Sequence, residues 1–348
     1  MKKFFIGFGL ILLLLAIFVL NTFYSTGFFR EVHTRIDGQT SSYGIYGAED
    51  LAISREDSFL IISSDDRAAR FHGRKRKGAL YKLDLTDPKA KPVKLRANLD
   101  FTFLPHGISM LKTDSSSYKI WAINHTREYH SVEVFMLTGD SLLHLETIKD
   151  DGLISPNDLV AIDENRFYIT NDHQYRTGIK RMAEDYLGLV LSDVLFYDGI
   201  SFTQVADDIA YANGINYNSK MKKLFVASPR GFLVKVFEPD LNSGNLEFIE
   251  DIDTGTGVDN IEFDEKGRLW IGSHPNLMHF TRYAMGKADT SPSEVIVIDY
   301  QDKSSYSIES VFEDTGENIS ASTVAIPFNG KVYIGNVMDE RLLVWHLK

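Results

Sequence analysis

The sequence has no cysteine among its 348 residues. That absence excludes a disulfide framework, a thiolate zinc site, an iron–sulfur cluster and a cysteine nucleophile. It does not fix the compartment, since exported proteins can do without disulfides. Basic residues are the scarcer charge, 37 Lys and Arg against 48 Asp and Glu, so the net charge is −11. General nucleic-acid binding wants a basic face and is disfavoured. The carboxylate surplus fits cation binding, although on most proteins such a surplus is solvated surface. No G-x-S-x-G elbow surrounds Ser109 or Ser322, which argues against a serine hydrolase. Gly255-Thr256-Gly257 is not followed by a Lys-Ser/Thr step and a helix, so it is no phosphate loop.

What is present is an ordinary globular composition, 44% hydrophobic and 24% charged, with 12% aromatic residues to build a core. The Tyr, Phe, Val, Ile and Thr content favours strands. Lys2 and Lys3 precede an apolar run over residues 4–20. A positive flank followed by such a run reads as a secretory signal or a signal anchor. The run is close to the shortest that spans a bilayer, about 17 residues. The residues after it, NTFYSTGFFR, contain no A-x-A cleavage site. The expectation is an uncleaved anchor over residues 1–22, a linker over 23–40 and one domain over 41–348. The lysines then stay cytoplasmic and the domain lies on the extracytoplasmic side, secreted if the segment is cut.

No WD dipeptide marks a propeller, yet a looser unit recurs six times. A polar or small pair precedes an apolar residue, then two strand-like stretches follow across a turn. The units start at Glu49-Asp50-Leu51, His106-Gly107-Ile108, Asn157-Asp158-Leu159, Asn213-Gly214-Ile215, Asp259-Asn260-Ile261 and Ser322-Thr323-Val324, at steps of about 46 to 63 residues. The second stretches are FLIIS, KIWAI, RFYIT, KLFVA, RLWIG and KVYIG, several after turn residues such as Asn329-Gly330. A period near 50 with several short strands is a propeller-blade signature, and six units make an all-β, six-bladed ring. The unit starts then converge on a central tunnel. They bring Glu49, Asp50, His106, Asn157, Asp158, Asn213, Asp259 and Asn260 together. Burying such charges costs several kcal/mol each unless they are paired or metal-bound. A hard cation resolves this, and an oxygen-rich set without thiolates suits Ca²⁺ better than zinc or copper. Four carboxylates would balance two such ions, though ligand counting does not separate one site from two. Each pair singly is also a common turn former; five in phase with a repeat are not explained that way.

At this point the chain resembles the paraoxonase (arylesterase) family. The resemblance rests on Gly47-Ala48-Glu49-Asp50-Leu51, Pro105-His106-Gly107-Ile108-Ser109, Asn124-His125, Asn157-Asp158, Thr170-Asn171-Asp172-His173, Ala212-Asn213-Gly214-Ile215-Asn216, Val258-Asp259-Asn260-Ile261, Gly272-Ser273-His274-Pro275-Asn276 and Ser322-Thr323-Val324, in the family's order. It implies a six-bladed propeller with two calcium ions that hydrolyses lactones and aryl esters. It implies that Glu49, Asn157, Asn213, Asp259 and Asn260 hold a catalytic calcium. Asp50, Asp158 and the Ile108 carbonyl would hold a structural one. It implies His106 and His125 as the catalytic pair, with Asp259 an alternative base or nucleophile, and it agrees with a retained N-terminal anchor. His173 and His274 are read as structural. The family's vertebrate members close their ring with a disulfide; here closure must rest on hydrogen bonds and packing, for which Leu343-Val344-Trp345 are the candidates. Their free cysteine is Ser273 here.

Two further segments carry expectations. Residues 67–77, RAARFHGRKRK, are basic within an acidic chain and read as a solvated loop, which the resemblance puts near the tunnel mouth. Residues 175–194 carry Met182, Tyr186, Leu187, Val190 and Leu191 at helical spacing, and the resemblance makes them a helix over the mouth that contacts membrane or lipoprotein. Two other functions remain open at this stage: a gluconolactonase-type sugar lactonase, and a non-enzymatic, anchored calcium-binding propeller. The expected partners are a small ester or lactone and the membrane.

Overall fold

The computed structural model describes the chain except Met1 and Arg127, with the side chain of Lys2 also outside the description. The flanking-charge reading at Lys2 therefore lies outside the described residues. Every one of the six short apolar stretches becomes the second strand of a four-stranded antiparallel sheet, and there are six such sheets. The result is the all-β, six-bladed propeller. Its innermost strands are Ala48–Ser54, Pro105–Lys112, Pro156–Ala161, Ile215–Asn218, Gly257–Phe263 and Ser322–Phe328; blades 1 to 6 are numbered after them.

The apolar residues of these strands pack blade against blade. Ile61 and Leu80 of blade 1, for example, meet Ile120 and Phe135 of blade 2 in one buried cluster. Each such side chain contributes about 1.5–3 kcal/mol by leaving water. The ring closes without a disulfide. Strand Gly38–Tyr43 adds to the outer edge of blade 6 and pairs with Leu342–Leu347. Leu343, Val344 and Trp345 lie opposite Ser42, Ser41 and Thr40, and the Trp345 indole donates to the Asp37 carbonyl at 3.0 Å. This closing strand straddles the boundary drawn at residue 41.

Five of the innermost strands begin with an irregular register. The shifts fall between Ala48 and Asp50, Pro105 and Ile108, Pro156 and Leu159, Val258 and Ile261, and Ser322 and Ala325. In a regular strand neighbouring side chains point to opposite faces; a bulge re-aims them. That is why two consecutive residues, such as Glu49 and Asp50, both serve the tunnel. The small partner in two unit starts also has a cause. A Cβ on Gly107 would stand 2.6 Å from the Asn157 carbonyl oxygen, and one on Gly214 would stand 2.4 Å from that of Asp259. Only glycine lets the next blade's backbone pass.

Three helices sit outside the sheets. Helix α1, Lys2–Ser25, contains a stretch of mean hydropathy 2.7 that is long and apolar enough to cross a membrane, and none of it is buried. Helix α2, Gly178–Leu187, is shorter than the helical pattern read over residues 175–194. Gly188 ends it at φ +64°, where a side chain would collide with the Arg230 guanidinium. Ser192–Tyr197 is already a strand of blade 3. Val190 and Leu191 are therefore exposed linker residues, which corrects that reading. Helix α3, Leu277–Ala284, has no counterpart in the sequence reading. Its cap is Asn276, whose side chain accepts from the His279 N–H at 2.9 Å.

Candidate active site

The bulged strand starts meet in the tunnel, which opens into two cavities. The upper one, about 600 Å³, is lined by Glu49, His106, His125, Asn157, Asn213 and Asp259 below and by α2 and α3 above. The lower one, about 200 Å³, is lined by Asp50, Ile108, Asp158 and Glu262 among others.

The upper floor carries a shared chemical feature. Glu49 Oε2, Asn157 Oδ1, Asn213 Oδ1, Asp259 Oδ1 and Asn260 Oδ1 are all buried and lack a hydrogen-bond partner among the described residues. An unpaired buried oxygen normally costs about 1–3 kcal/mol. Five at the tunnel starts call for a ligand that accepts oxygen lone pairs. The neighbours enforce the orientation. Asn157 spends its amide N–H on Asp172 Oδ2 at 3.2 Å, and Asn260 spends its own on Glu49 at 3.2 Å, so both turn their oxygens free. Asp259 keeps one oxygen on His274 Nε2 at 2.8 Å and leaves the other. The Glu49 carbonyl is held by the Thr323 hydroxyl at 2.6 Å. A donor set of two carboxylates and three amide oxygens fits a hard divalent cation of the calcium type. No group of three or more His, Asp or Glu with metal-binding geometry occurs among the described residues; here amides supply most of the donors.

Electrostatics agree with that fit. Burial, with Asp259 nearby, pushes the Glu49 carboxyl up to about 7 despite the opposing Arg67. A carboxylate so raised is short of positive charge. Burial also pushes His106 well below its usual range, helped by Arg67 and His125, and takes His125 down to about 3. Both rings are neutral at pH 7.

His106 and His125 stack at 4.6 Å with 28° between planes, and no hydrogen bond joins them. His125 Nε2 stands 2.6 Å from the Pro156 carbonyl, so it donates there and keeps Nδ1 as its lone pair. His106 Nδ1 lies 3.3 Å from Glu49 Oε2 and against the guanidinium of Arg67. His173 bonds Asp172 at 2.6 Å and Asp185 of α2 at 2.8 Å. Burial alone would lower it, but these two carboxylates raise it to about 9. His274 stacks on Phe280 of α3 at 4.1 Å.

Sequence reasoning singled out the ring but missed its supports. Asp172 fixes Asn157, and Arg181 reaches Ser155 at 3.1 Å and Asp172 at 3.7 Å. The run Thr170-Asn171-Asp172-His173 was the available signal. Glu262, whose burial raises it to about 8, was missed as well. In the lower cavity Asp50 accepts the N–H groups of Leu51 at 2.8 Å and Ile108 at 2.7 Å. Asp158 accepts those of Leu159 at 2.7 Å and Ile215 at 2.8 Å. Each carboxylate thus staples its blade to the next. Asn124 opens the glycosylation sequon Asn124-His125-Thr126, but it is fully buried against the Leu104 N–H, which leaves no room for a glycan.

The sequence profile described as Arylesterase matches residues 70–344. Serum paraoxonase/arylesterase 2 of Gallus gallus is 33% identical over 272 residues, 76% of each chain. Serum paraoxonase/arylesterase 1 of Homo sapiens is 34% identical over 244 residues, 69% of this chain and 68% of its own. A solved putative gluconolactonase superposes with TM-score 0.53 at 13% identity over 92% of this chain and 97% of its own. At that identity the likeness speaks for the propeller alone.

Proposed function

The chain belongs to the arylesterase (paraoxonase) family, and from that premise we propose that it hydrolyses lactones and aryl esters in the upper cavity, with calcium as its cofactor. Glu49, Asn157, Asn213, Asp259 and Asn260 would hold one ion. Asp50, Asp158 and the Ile108 carbonyl would hold a second. A bound upper ion would polarise the ester carbonyl and offset the charge of the oxyanion. His106 takes the proton of the attacking water, because its buried, neutral ring is in the accepting form. His125, pinned by its bond to Pro156, supports the ring stacked on it. Asp172 and Arg181 hold Asn157 and Ser155 in place at the same wall. The acid and the alcohol leave through the mouth.

The observation that carries this reading is the five unpaired oxygens, four on residues that line the cavity with His106 and His125 and the fifth on Asn260 beside Glu49. The same reading puts the mouth at a membrane. Thr22 and Thr26 of the anchor's end line the upper cavity. The Leu277 N–H donates to Thr26 at 2.9 Å, and Arg230 reaches the Ser25 hydroxyl at 3.2 Å. Tyr24, Phe28, Phe29, Ile179 and Met182 are exposed around it. An apolar N-terminal helix fits a signal or an anchor; as an anchor it would hold the domain on the extracytoplasmic face.

The test uses the full chain in detergent micelles with phenyl acetate and δ-valerolactone. Hydrolysis should disappear with chelator and return with calcium, and His106→Gln should lose most of it. A folded, calcium-loaded protein that turns over neither substrate would overturn the hydrolase reading in favour of a binding propeller.

A further inference from the structure

The basic stretch 67–77 is not a uniform solvated loop. Lys75 and its neighbours are exposed, but Arg67 turns inward at the start of the 3₁₀ segment Arg67–Phe71 and is only 14% exposed. Its guanidinium is held from three sides. Nη1 donates to the Val337 carbonyl at 3.1 Å, Nε stands 3.6 Å from Asp65, and Nη2 rests against His106 Nδ1. Asp65 is itself fully buried and gripped by Arg76, so the anchor point is fixed. The same Nη2 lies 3.9 Å from Glu49 Oε2. That distance attracts the carboxylate without satisfying it, and Oε2 remains one of the five unpaired oxygens. Among the described residues no other Lys or Arg forms an ion pair with Glu49 or Asp259.

We propose that Arg67 is a built-in counter-cation of the upper ring, a positioning residue that sets how tightly the ring takes a divalent cation and which nitrogen of His106 is free. The proposal rests on the reading of the ring as a cation site. Like charges a few ångströms apart in a buried site repel strongly, so the guanidinium beside Glu49 weakens the binding of any further cation there. It also offsets part of the charge of Glu49 while that cation is absent. The second consequence follows from donor chemistry. A guanidinium has no acceptor, so at this contact His106 Nδ1 must accept, and the neutral ring carries its proton on Nε2. Nδ1 becomes free for a water only when Arg67 withdraws. Closer approach of a divalent ion to Glu49 would repel the guanidinium and favour that withdrawal. Arg67 thereby couples cation occupancy to the availability of His106.

The test measures calcium affinity by chelator competition on the full chain in micelles, with Arg67→Met and Arg67→Lys. The methionine variant should bind calcium about tenfold tighter or more, since it removes the charge and keeps the bulk. The lysine variant keeps the charge and should stay within about threefold of the parent. In calcium-free protein, ¹⁵N shifts of the histidines should put His106 Nδ1 in the unprotonated class for the parent, and the methionine variant should lose that preference. A folded methionine variant with parental affinity overturns the proposal, as does a lysine variant that tightens as much as methionine. If the methionine variant does not fold, the lysine variant and the parent's His106 shifts decide alone. Parent protein that binds no calcium overturns the cation-ring reading, and this proposal with it.

Discussion

The two ends of the tunnel use the same residue types in opposite states. In the lower cavity Asp50 and Asp158 each accept two backbone N–H groups, one from their own blade and one from the next, although burial and the neighbouring carboxylates still hold both well above the usual carboxylate range. In the upper cavity the partner groups are arranged to leave an oxygen of every donor unspent. Neighbouring residues in one strand start, such as Glu49 and Asp50, thus have different work. The lower one bonds across two blades; the upper one keeps an oxygen unpaired. A carboxylate bonded by the backbone ties blades together, whereas an unpaired one is available for chemistry at a cost to stability.

The comparison predicts a ranking. The largest effect belongs to the upper ring. Glu49→Gln and Asp259→Asn should each cut kcat/KM for phenyl acetate by at least 100-fold, about 2.7 kcal/mol in barrier, with a thermal midpoint close to the parent's. Equal loss of activity and of folding in both variants would break the distinction. Next come Asp50→Asn and Asp158→Asn. In calcium-loaded protein each leaves one inter-blade N–H imperfectly paired and should lower stability by about 1–3 kcal/mol, read by chemical denaturation.

A smaller effect lies in pH. His173 is raised from an ordinary 6.5 to about 9, so its bonds to Asp172 and Asp185 stabilise fully below pH 6.5. That contribution fades as pH rises through 9. Denaturation midpoints should fall across this window in the parent and fall less in His173→Gln; identical slopes would contradict the assignment. Glu262 gives a second pH effect. Its carboxyl is raised to about 8 by burial, an acid shifted upward, so in calcium-free protein its ionisation costs stability as pH climbs from 4.5 to 8. Glu262→Gln should raise the calcium-free thermal midpoint at pH 8. A drop there would mean that the carboxylate has a partner.

Much of this is legible in the sequence. A polar pair before each apolar strand, in phase six times, is enough to place Glu49, Asp50, Asn157, Asp158, Asn213, Asp259 and Asn260 around one axis. What a pattern of residues does not carry is register. The shifts that let Asp259 and Asn260 both serve the tunnel arise from pairing with a partner strand. Nor does sequence show which amide atom is consumed: Asn157 presents its oxygen only because Asp172, 15 residues on, takes its nitrogen. Arg67 looked like its exposed neighbours because its inward turn depends on Val337, which is distant in sequence. The helical pattern past Leu187 misled for a local reason, since Gly188 adopts a left-handed backbone that ends the helix.

The central claim is that the five unpaired oxygens of the upper cavity form a calcium site. It is tested most directly by equilibrium calcium binding to the parent, to Asn213→Ala and to Asp259→Asn, each shown to be folded. Asn213 and Asp259 belong to the upper set, and the unpaired Oδ1 of each is what the substitution removes or blunts. The account predicts that the parent binds calcium and that both variants lose one class of site. Parental affinity and stoichiometry in both variants would contradict it.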